Sequence, residues 1–162
     1  MPKISIVDDI QLPLDTTVMR FEGKNPFKAF DMPRGLLRDV MKIPGKDILE
    51  TDVRWDIFSD PRDFYGVWMG KRREDLWSRT EIRILIQGAM DMKTRVGWLD
   101  IRFKGVVATE YEYTNFIQRG FWWTYNRTFY YKQRRQYLEY GKDNIFEIKR
   151  RFQEALGIAP EE

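Results

Sequence analysis

The residues best suited to chemistry in this sequence are cations interleaved with aromatic rings near its C-terminal end. The stretch Arg127 to Tyr137, RTFYYKQRRQY, follows Trp122 and Trp123 and contains no acidic residue. Its four cations are Arg127, Lys132, Arg134 and Arg135. This pattern suits a phosphate backbone with bases stacked on the rings. It also suits an anionic membrane surface, where Trp and Tyr lie at the headgroup level. A third interpretation is a solvated helix face whose aromatic side chains turn inward.

Paired carboxylates are the next candidates, because they divide acid and base roles or bind a hard cation. The pairs are Glu110 with Glu112 on one strand face, Asp8-Asp9, and Glu74-Asp75. No third ligand or signature spacing accompanies them, so we expect surface salt bridges and assign no catalytic or metal-binding residue. The sequence also contains no P-loop, dinucleotide-binding GxGxxG motif or GxSxG elbow.

The chain has no cysteine and no histidine. The first absence excludes a disulfide framework, a thiolate zinc site and an iron–sulfur cluster. The second removes the side chain that most hydrolytic and zinc sites use near neutral pH. Any catalysis would depend on Asp, Glu, Lys, Tyr or Arg. These absences weigh against an enzyme, and we expect no cofactor.

The composition predicts one globular domain over residues 1–162, with 43% apolar residues to form its core. The opening MPKISIVDDIQLPLD has no apolar h-region typical of a signal peptide, and no apolar run reaches the length of a membrane span. These features predict a cytoplasmic protein without a transmembrane segment. A charged fraction of 33% and the missing cysteine suit a thermophilic source.

Helices and antiparallel strands follow one another in a simple order. Asn25-Pro26 is typical of an N-cap with Pro at the first helical position, and it precedes a short turn at Phe27–Phe30. The predicted segments are extended chain at Lys3–Ile10 and Thr16–Glu22, a helix at Pro33–Ile43, and strands at Asp47–Asp56, Asp63–Gly70, Leu76–Gly88 and Gly97–Tyr113, the last with a bend at Lys104-Gly105. In Asp47–Asp56, the period-two pattern predicts that Leu49, Thr51, Val53 and Trp55 face a core.

The alternation on the last two long strands also predicts a hairpin register. A turn centred between Asp91 and Met92 pairs Ile82 with Ile101 and Ile84 with Leu99. On the outer face, the same register places Glu81 opposite Arg102 and Arg83 opposite Asp100, which are favourable cross-strand charge pairs.

From Phe116 to Leu156 the pattern becomes helical, with the start open between Asn115 and a point near Asn126. Apolar residues and one glycine recur at steps of three and four: Tyr137, Leu138, Gly141, Ile145, Ile148, Phe152 and Leu156. Gly157 is placed as the left-handed residue that ends the helix.

This order of elements resembles the helix-grip fold of the START-like superfamily, which includes polyketide cyclases, plant pathogenesis-related ligand binders and lipid-transfer domains. The resemblance rests on NPFKAFDMPRGLLRDVMKI, the strands from Asp47 to Tyr113 and the ending FEIKRRFQEALG. It implies an α+β fold in which a curved antiparallel sheet grips the C-terminal helix around an apolar cavity. A PH-like barrel closed by a C-terminal helix is the alternative fold.

The resulting hypothesis is non-enzymatic binding of an apolar or amphipathic small molecule or lipid between sheet and helix. The aromatic residues expected around that pocket are Trp55, Tyr65, Trp98, Trp122, Tyr125 and Tyr130. Complete filling of the interior by these side chains, with no pocket, is the competing expectation. An RNA- or ribosome-associated protein, with Arg127, Lys132, Arg134 and Arg135 on one exposed face, is the second hypothesis. A cyclase-type enzyme is the third. The oligomeric state stays open.

Overall fold

The computed structural model describes residues 2–10, 17–56, 58 and 60–158. They form an α+β fold in which a large antiparallel sheet packs against a long C-terminal helix. The strands are β1 (Lys3–Asp9), β2 (Thr17–Lys24), β3 (Ile48–Glu50), β4 (Arg54–Trp55), β5 (Arg62–Arg73), β6 (Ser78–Met90) and β7 (Val96–Glu112). The helices are a 3₁₀ turn (Pro26–Asp31), α1 (Pro33–Met41), a second 3₁₀ turn (Gly45–Asp47), α2 (Phe116–Tyr125), a π-helical segment (Asn126–Tyr130) and α3 (Tyr131–Leu156).

Strand β7 organises the sheet because it is long enough to pair with two strands along one edge. β2 pairs with its first half, from Val96 to Phe103, and β1 pairs with its second half, from Val106 to Glu112. On its other side the order continues through β6 and β5 to the short strands β3 and β4. As far as the described residues extend, this path has two open edges, unlike the closed PH-like barrel considered as an alternative.

The predicted register of the β6–β7 hairpin is wrong. Ile82 lies opposite Gly105, and Ile84 lies opposite Phe103. The turn covers residues 91–95, where the Asp91 carboxylate accepts hydrogen bonds from the main-chain N–H groups of Lys93 and Thr94. This turn centre is two residues later than predicted. The partner of each β6 residue therefore moves by four positions.

The shift preserves which face each side chain occupies, because a strand repeats every two residues. Ile82 and Ile84 still face the core, as predicted. The two predicted charge pairs do not form, because Glu81 lies opposite Val106 and Arg83 lies opposite Lys104.

The prediction of a half-buried strand at Asp47–Asp56 is also wrong. It consists of β3 and β4, two short pieces at the edge of the sheet against β5. Leu49, Thr51, Val53 and Trp55, which were expected to face a core, are all exposed. Ile48 is the residue that enters the core.

The inner face of the sheet and the C-terminal helix meet at very short range. Ile10 is fully buried between Gly105 of β7 and Gly141 of α3. A Cβ atom added at Gly141 would lie 2.6 Å from Ile10 Cδ1, and one added at Gly105 would lie 2.8 Å from the same atom. Two residues without a Cβ therefore let helix and strand approach around one isoleucine. Helix and sheet are therefore in direct contact at this point.

The helical region from Phe116 to Leu156 is continuous over 41 residues. Its beginning, open between two positions in the sequence, lies at Asn115, whose side-chain oxygen accepts a hydrogen bond from the N–H of Gln118 at 2.9 Å. Gly157 ends it with a φ of 71°, which confirms the prediction for that residue. No helix in the described ranges is long and apolar enough to cross a membrane.

Candidate binding surface on the C-terminal helix

The first half of the long helix touches the sheet along a single row of side chains. Trp122, Asn126, Tyr130 and Arg134 are buried, and the residues between them are exposed. An α-helix has 3.6 residues per turn, so residues four apart drift around its axis. The π-helical segment Asn126–Tyr130 has a wider turn. It corrects this drift and keeps the four residues in line against the sheet.

An exposed apolar row lies beside this buried row. We call Ile117, Phe121, Tyr125 and Phe129 the apolar ridge. Their exposed fractions are 55%, 73%, 44% and 69%. Residues four apart on a helix are neighbours, and twelve residues span roughly 18 Å at 1.5 Å per residue. The ridge is therefore a continuous strip of largely exposed apolar surface, in which Tyr125 also contacts Trp77.

The outermost row of the helix is only weakly polar. It contains Gly120, Thr124 and Thr128. The Thr124 hydroxyl donates to the Gly120 carbonyl at 3.0 Å, and the Thr128 hydroxyl donates to the Thr124 carbonyl at 2.7 Å. Because both hydroxyl protons are used within the helix, this row extends the weakly polar character of the apolar ridge.

Cations and aromatic rings alternate on the far side of the helix, in the order Trp123, Arg127, Tyr131 and Arg135. All four are exposed. The sequence has no acidic residue from Thr114 to Leu138, and the first carboxylate after this stretch is Glu139, four residues beyond Arg135 on the same helix. Lys132 is exposed as well. The surface is therefore apolar on one side and positively charged on the other.

Arg134 does not belong to this surface, contrary to the expectation that it shares an exposed face with Arg127, Lys132 and Arg135. It is only 8% exposed, and its Nη1 lies 3.5 Å from Asp8 Oδ2 on β1. Its position in the four-residue row that faces the sheet explains the difference. The sequence alone does not mark this row, because the π-helical segment that creates it has no simple sequence signal.

The helix is fastened to the turn between β5 and β6 through Asp75. Its carboxylate accepts hydrogen bonds from the hydroxyls of Tyr130 (2.7 Å) and Tyr137 (2.8 Å), and from the N–H groups of Trp77 (2.7 Å) and Ser78 (2.8 Å). Burial alone would raise the pKa of Asp75, but these hydrogen bonds outweigh it and leave the pKa below its ordinary value. Asp75 is therefore an anion at neutral pH.

The donor and the acceptor of each hydrogen bond around Asp75 can be assigned. Since the carboxylate only accepts, Tyr130 donates to it, and the Ser78 hydroxyl must donate to Tyr130 at 2.5 Å. Thr109 then donates to Ser78 at 2.8 Å. Burial, and then the bond to Asp75, raise the pKa of Tyr137 to about 12. Burial is also the main cause that raises the pKa of Tyr130, and Asp75 adds to it. Both phenols stay protonated over the physiological range.

The aromatic residues expected around one internal pocket lie in separate places. Tyr65 and Trp98 line an open groove of about 380 Å³ on the outer face of the sheet. Trp55 packs on Phe27 with ring centroids 4.5 Å apart. Trp122 stacks on Tyr111 at 5.3 Å, and both Tyr125 and Tyr130 contact Trp77. The last three predicted residues therefore belong to a second aromatic cluster under the long helix.

Each carboxylate pair noted in the sequence has a member that takes part in ion pairs or hydrogen bonds. Glu110 lies 3.6 Å from Lys3 and 3.7 Å from Arg79, and Glu74 lies 2.8 Å from Arg72. Within the described ranges, no three His, Cys, Asp or Glu residues are arranged to hold a metal ion. Asp75 differs from the other members of these pairs because two tyrosine hydroxyls and two main-chain N–H groups donate to it. The sequence did not single it out.

Comparison with known proteins shows no family for this chain. No protein-family model and no curated protein matches the chain. A solved structure of an uncharacterised protein from Rhizobium leguminosarum is 12% identical over 93% of this chain and 99% of its own, with a TM-score of 0.22. That similarity is too low to establish a common fold, and the START-like resemblance therefore remains a prediction.

Proposed function

We propose that this protein binds peripherally to anionic membrane surfaces through the apolar ridge and the cations beside it. The observation that carries the proposal is the exposure of Ile117, Phe121, Tyr125 and Phe129 in one continuous strip of a helix that has no acidic residue from Thr114 to Leu138. Contiguous exposed apolar surface marks interaction sites in soluble proteins.

The energetics favour a membrane interface. Helices of this type lie in the interface plane with the apolar side buried roughly 5–10 Å deep. Complete burial of a Phe side chain contributes about 1.5–3 kcal/mol, and Phe121 and Phe129 are 73% and 69% exposed. Each cation near an anionic surface adds about 1 kcal/mol. Arg127, Lys132 and Arg135 together therefore supply an attraction comparable with that of one phenylalanine.

Other partners fit this surface less well. Nucleic acid would use π-faces and charge, but Ile117 has no π-face and Arg134 is paired with Asp8 rather than exposed. A second copy of the chain would present the same positive charge, with no acidic residue from Thr114 to Leu138 to offset it, and like charges at an interface are costly. An anionic lipid surface satisfies both the apolar and the positive side.

The small-molecule hypothesis has no comparable observation behind it, because sheet and helix are in direct contact around Ile10, Gly105 and Gly141. The cyclase-type enzyme has none either. The helix-grip arrangement and a cytoplasmic location remain part of the proposal. The antiparallel sheet against a long helix is compatible with the first, and the anionic cytoplasmic leaflet of cell membranes suits the second.

Co-sedimentation with vesicles tests the proposal. We expect binding to vesicles of phosphatidylglycerol and phosphatidylcholine and much weaker binding to phosphatidylcholine alone. Phe121→Gln should weaken binding roughly five- to thirtyfold, the factor for about 1–2 kcal/mol of lost burial. Phe146→Gln is the matched control. Phe146 is a phenylalanine of the same long helix, 69% exposed against 73% for Phe121, and it lies beyond the ridge.

Equal effects of Phe121→Gln and Phe146→Gln would contradict the proposal. So would the absence of binding to anionic vesicles. Retention of single-stranded RNA at physiological salt, without binding to vesicles, would replace the proposal with the nucleic-acid alternative.

A further inference from the structure

A small groove lies between the long helix and the turn that joins β5 to β6. Its volume is about 250 Å³, and it is open to solvent. Its aromatic lining comes from Trp77, Tyr125, Phe129, Tyr130 and Tyr137, and Asp75 is the charged residue. This volume is below the roughly 300–1,000 Å³ of pockets for drug-sized ligands. The groove therefore fits a ligand the size of a single headgroup.

Among the described residues, no cationic side chain pairs with the negative charge in this groove. All the groups that donate to the Asp75 carboxylate are neutral: two tyrosine hydroxyls and two main-chain N–H groups. Arg73 is near in sequence, but its guanidinium donates to the main-chain carbonyls of Asp75 and Leu76. A half-buried anion among aromatic rings is therefore left without a neutralising charge.

The rings around Asp75 form a connected cluster. The Trp77 ring centroid lies 5.2 Å from that of Tyr130 and 5.9 Å from that of Tyr125. Tyr125 is in turn 6.0 Å from Phe129. The faces of aromatic rings attract cations, and aromatic cages are a common way to bind quaternary ammonium groups. Anion and rings together favour a positively charged ligand.

We propose that this groove binds a small organic ammonium ion, with a quaternary ammonium group between the rings and the charge of Asp75. A quaternary group suits the site better than a primary amine, because the Asp75 oxygens already accept hydrogen bonds from four groups. An N–H donor would compete with those bonds, whereas a quaternary nitrogen has no proton to donate. This inference stands on the groove and does not depend on membrane binding.

Titration with tetramethylammonium and with choline, followed by tryptophan fluorescence and calorimetry at constant ionic strength, tests the inference. Saturable binding of both cations is expected, and the neutral choline isostere 3,3-dimethylbutan-1-ol should bind at least tenfold more weakly. Failure of the cations to bind saturably would overturn the inference. Equal binding of the isostere would also overturn it, because it would show a merely apolar groove.

Variants of Tyr125, an exposed residue of the groove wall, distinguish a loss of ligand binding from a loss of folding. Tyr125 makes no hydrogen bond that fastens the helix to the sheet, so Tyr125→Ala should preserve the fold and weaken tetramethylammonium binding about fivefold, which corresponds to about 1 kcal/mol. Tyr125→Phe keeps the ring and should bind normally. Asp75→Asn should abolish binding, and because Asp75 also fastens the helix, its circular dichroism spectrum must be compared with that of the wild type. Unchanged affinity in Tyr125→Ala would refute the assignment.

The ion can come from free solute or from a lipid headgroup, and vesicles distinguish these sources. If the source is a headgroup, phosphatidylcholine added to phosphatidylglycerol vesicles should strengthen binding of the wild type, and free tetramethylammonium should remove this gain. If the source is a free amine, the cation should bind in solution and phosphatidylcholine should add nothing.

Discussion

The close approach of the long helix to the sheet gives a sharp prediction for two glycines of the same helix. Gly141 and Gly120 both lie inside helical segments, so replacement by Ala gains up to about 1 kcal/mol of helix propensity at each. Around Gly120, nothing lies within 4 Å of an added Cβ. At Gly141, an added Cβ would meet Ile10 Cδ1 at 2.6 Å and Ile10 Cγ1 at 3.3 Å.

Ile10 cannot move away easily, because it is fully buried and Gly105 lies against its other side. Overpacking of this kind costs about 1–3 kcal/mol. We therefore expect Gly120→Ala to stabilise the protein and Gly141→Ala to be less stable than Gly120→Ala by about 1–3 kcal/mol. Because helix propensity is common to both variants, the difference isolates the steric cost.

Urea unfolding, followed by circular dichroism and fluorescence, measures the free energy of unfolding of each variant. Ile10→Val removes the Cδ1 atom that is nearest to the added Cβ. In a double-mutant cycle it should recover part of the loss in Gly141→Ala. Equal stabilisation by Gly141→Ala and Gly120→Ala would refute the close packing, and it would reopen the space between sheet and helix to a ligand.

Two further predictions concern charge. Arg127→Gln should weaken binding to anionic vesicles about fivefold, from a loss of about 1 kcal/mol. Arg150→Gln should leave binding unchanged, because Glu147 and Glu154 already form ion pairs with that guanidinium. Equal effects of the two substitutions would contradict the proposed orientation. The Tyr137 pKa is about 12 in the folded protein and about 10 in an unfolded chain, so its contribution to stability is present below about pH 10 and is lost as pH rises through 12. Tyr137→Phe should reduce the pH dependence of the unfolding free energy between pH 10 and 12, and an unchanged slope would show that the bond to Asp75 is not made.

The sequence predicts the faces of the strands better than their partners. Ile82 and Ile84 face the core as their alternation indicates, because the period of two determines the face. The same period is satisfied by any even shift in register, so only the turn decides the pairing. The turn is five residues long and is held by Asp91, a feature that hydrophobic patterning does not reveal.

Edge position and helix geometry explain the remaining differences. The pattern from Leu49 to Trp55 alternates correctly, but these residues lie on short strands at the sheet edge, where their side chains stay exposed. On the C-terminal helix, the sequence identifies the basic aromatic segment. It does not show that Arg134 turns inward while Phe121 and Phe129 turn outward. That division depends on the π-helical segment and on the fastening of Tyr130 and Tyr137 to Asp75.

The most direct test of the membrane proposal measures which part of the helix enters a lipid surface. The chain has no cysteine, so Phe121→Cys and Phe146→Cys each provide one labelling site for an environment-sensitive fluorophore. With phosphatidylglycerol vesicles, we predict a blue shift for the label at position 121 and none at position 146. No shift at position 121, or the same shift at both positions, would contradict binding through the apolar ridge.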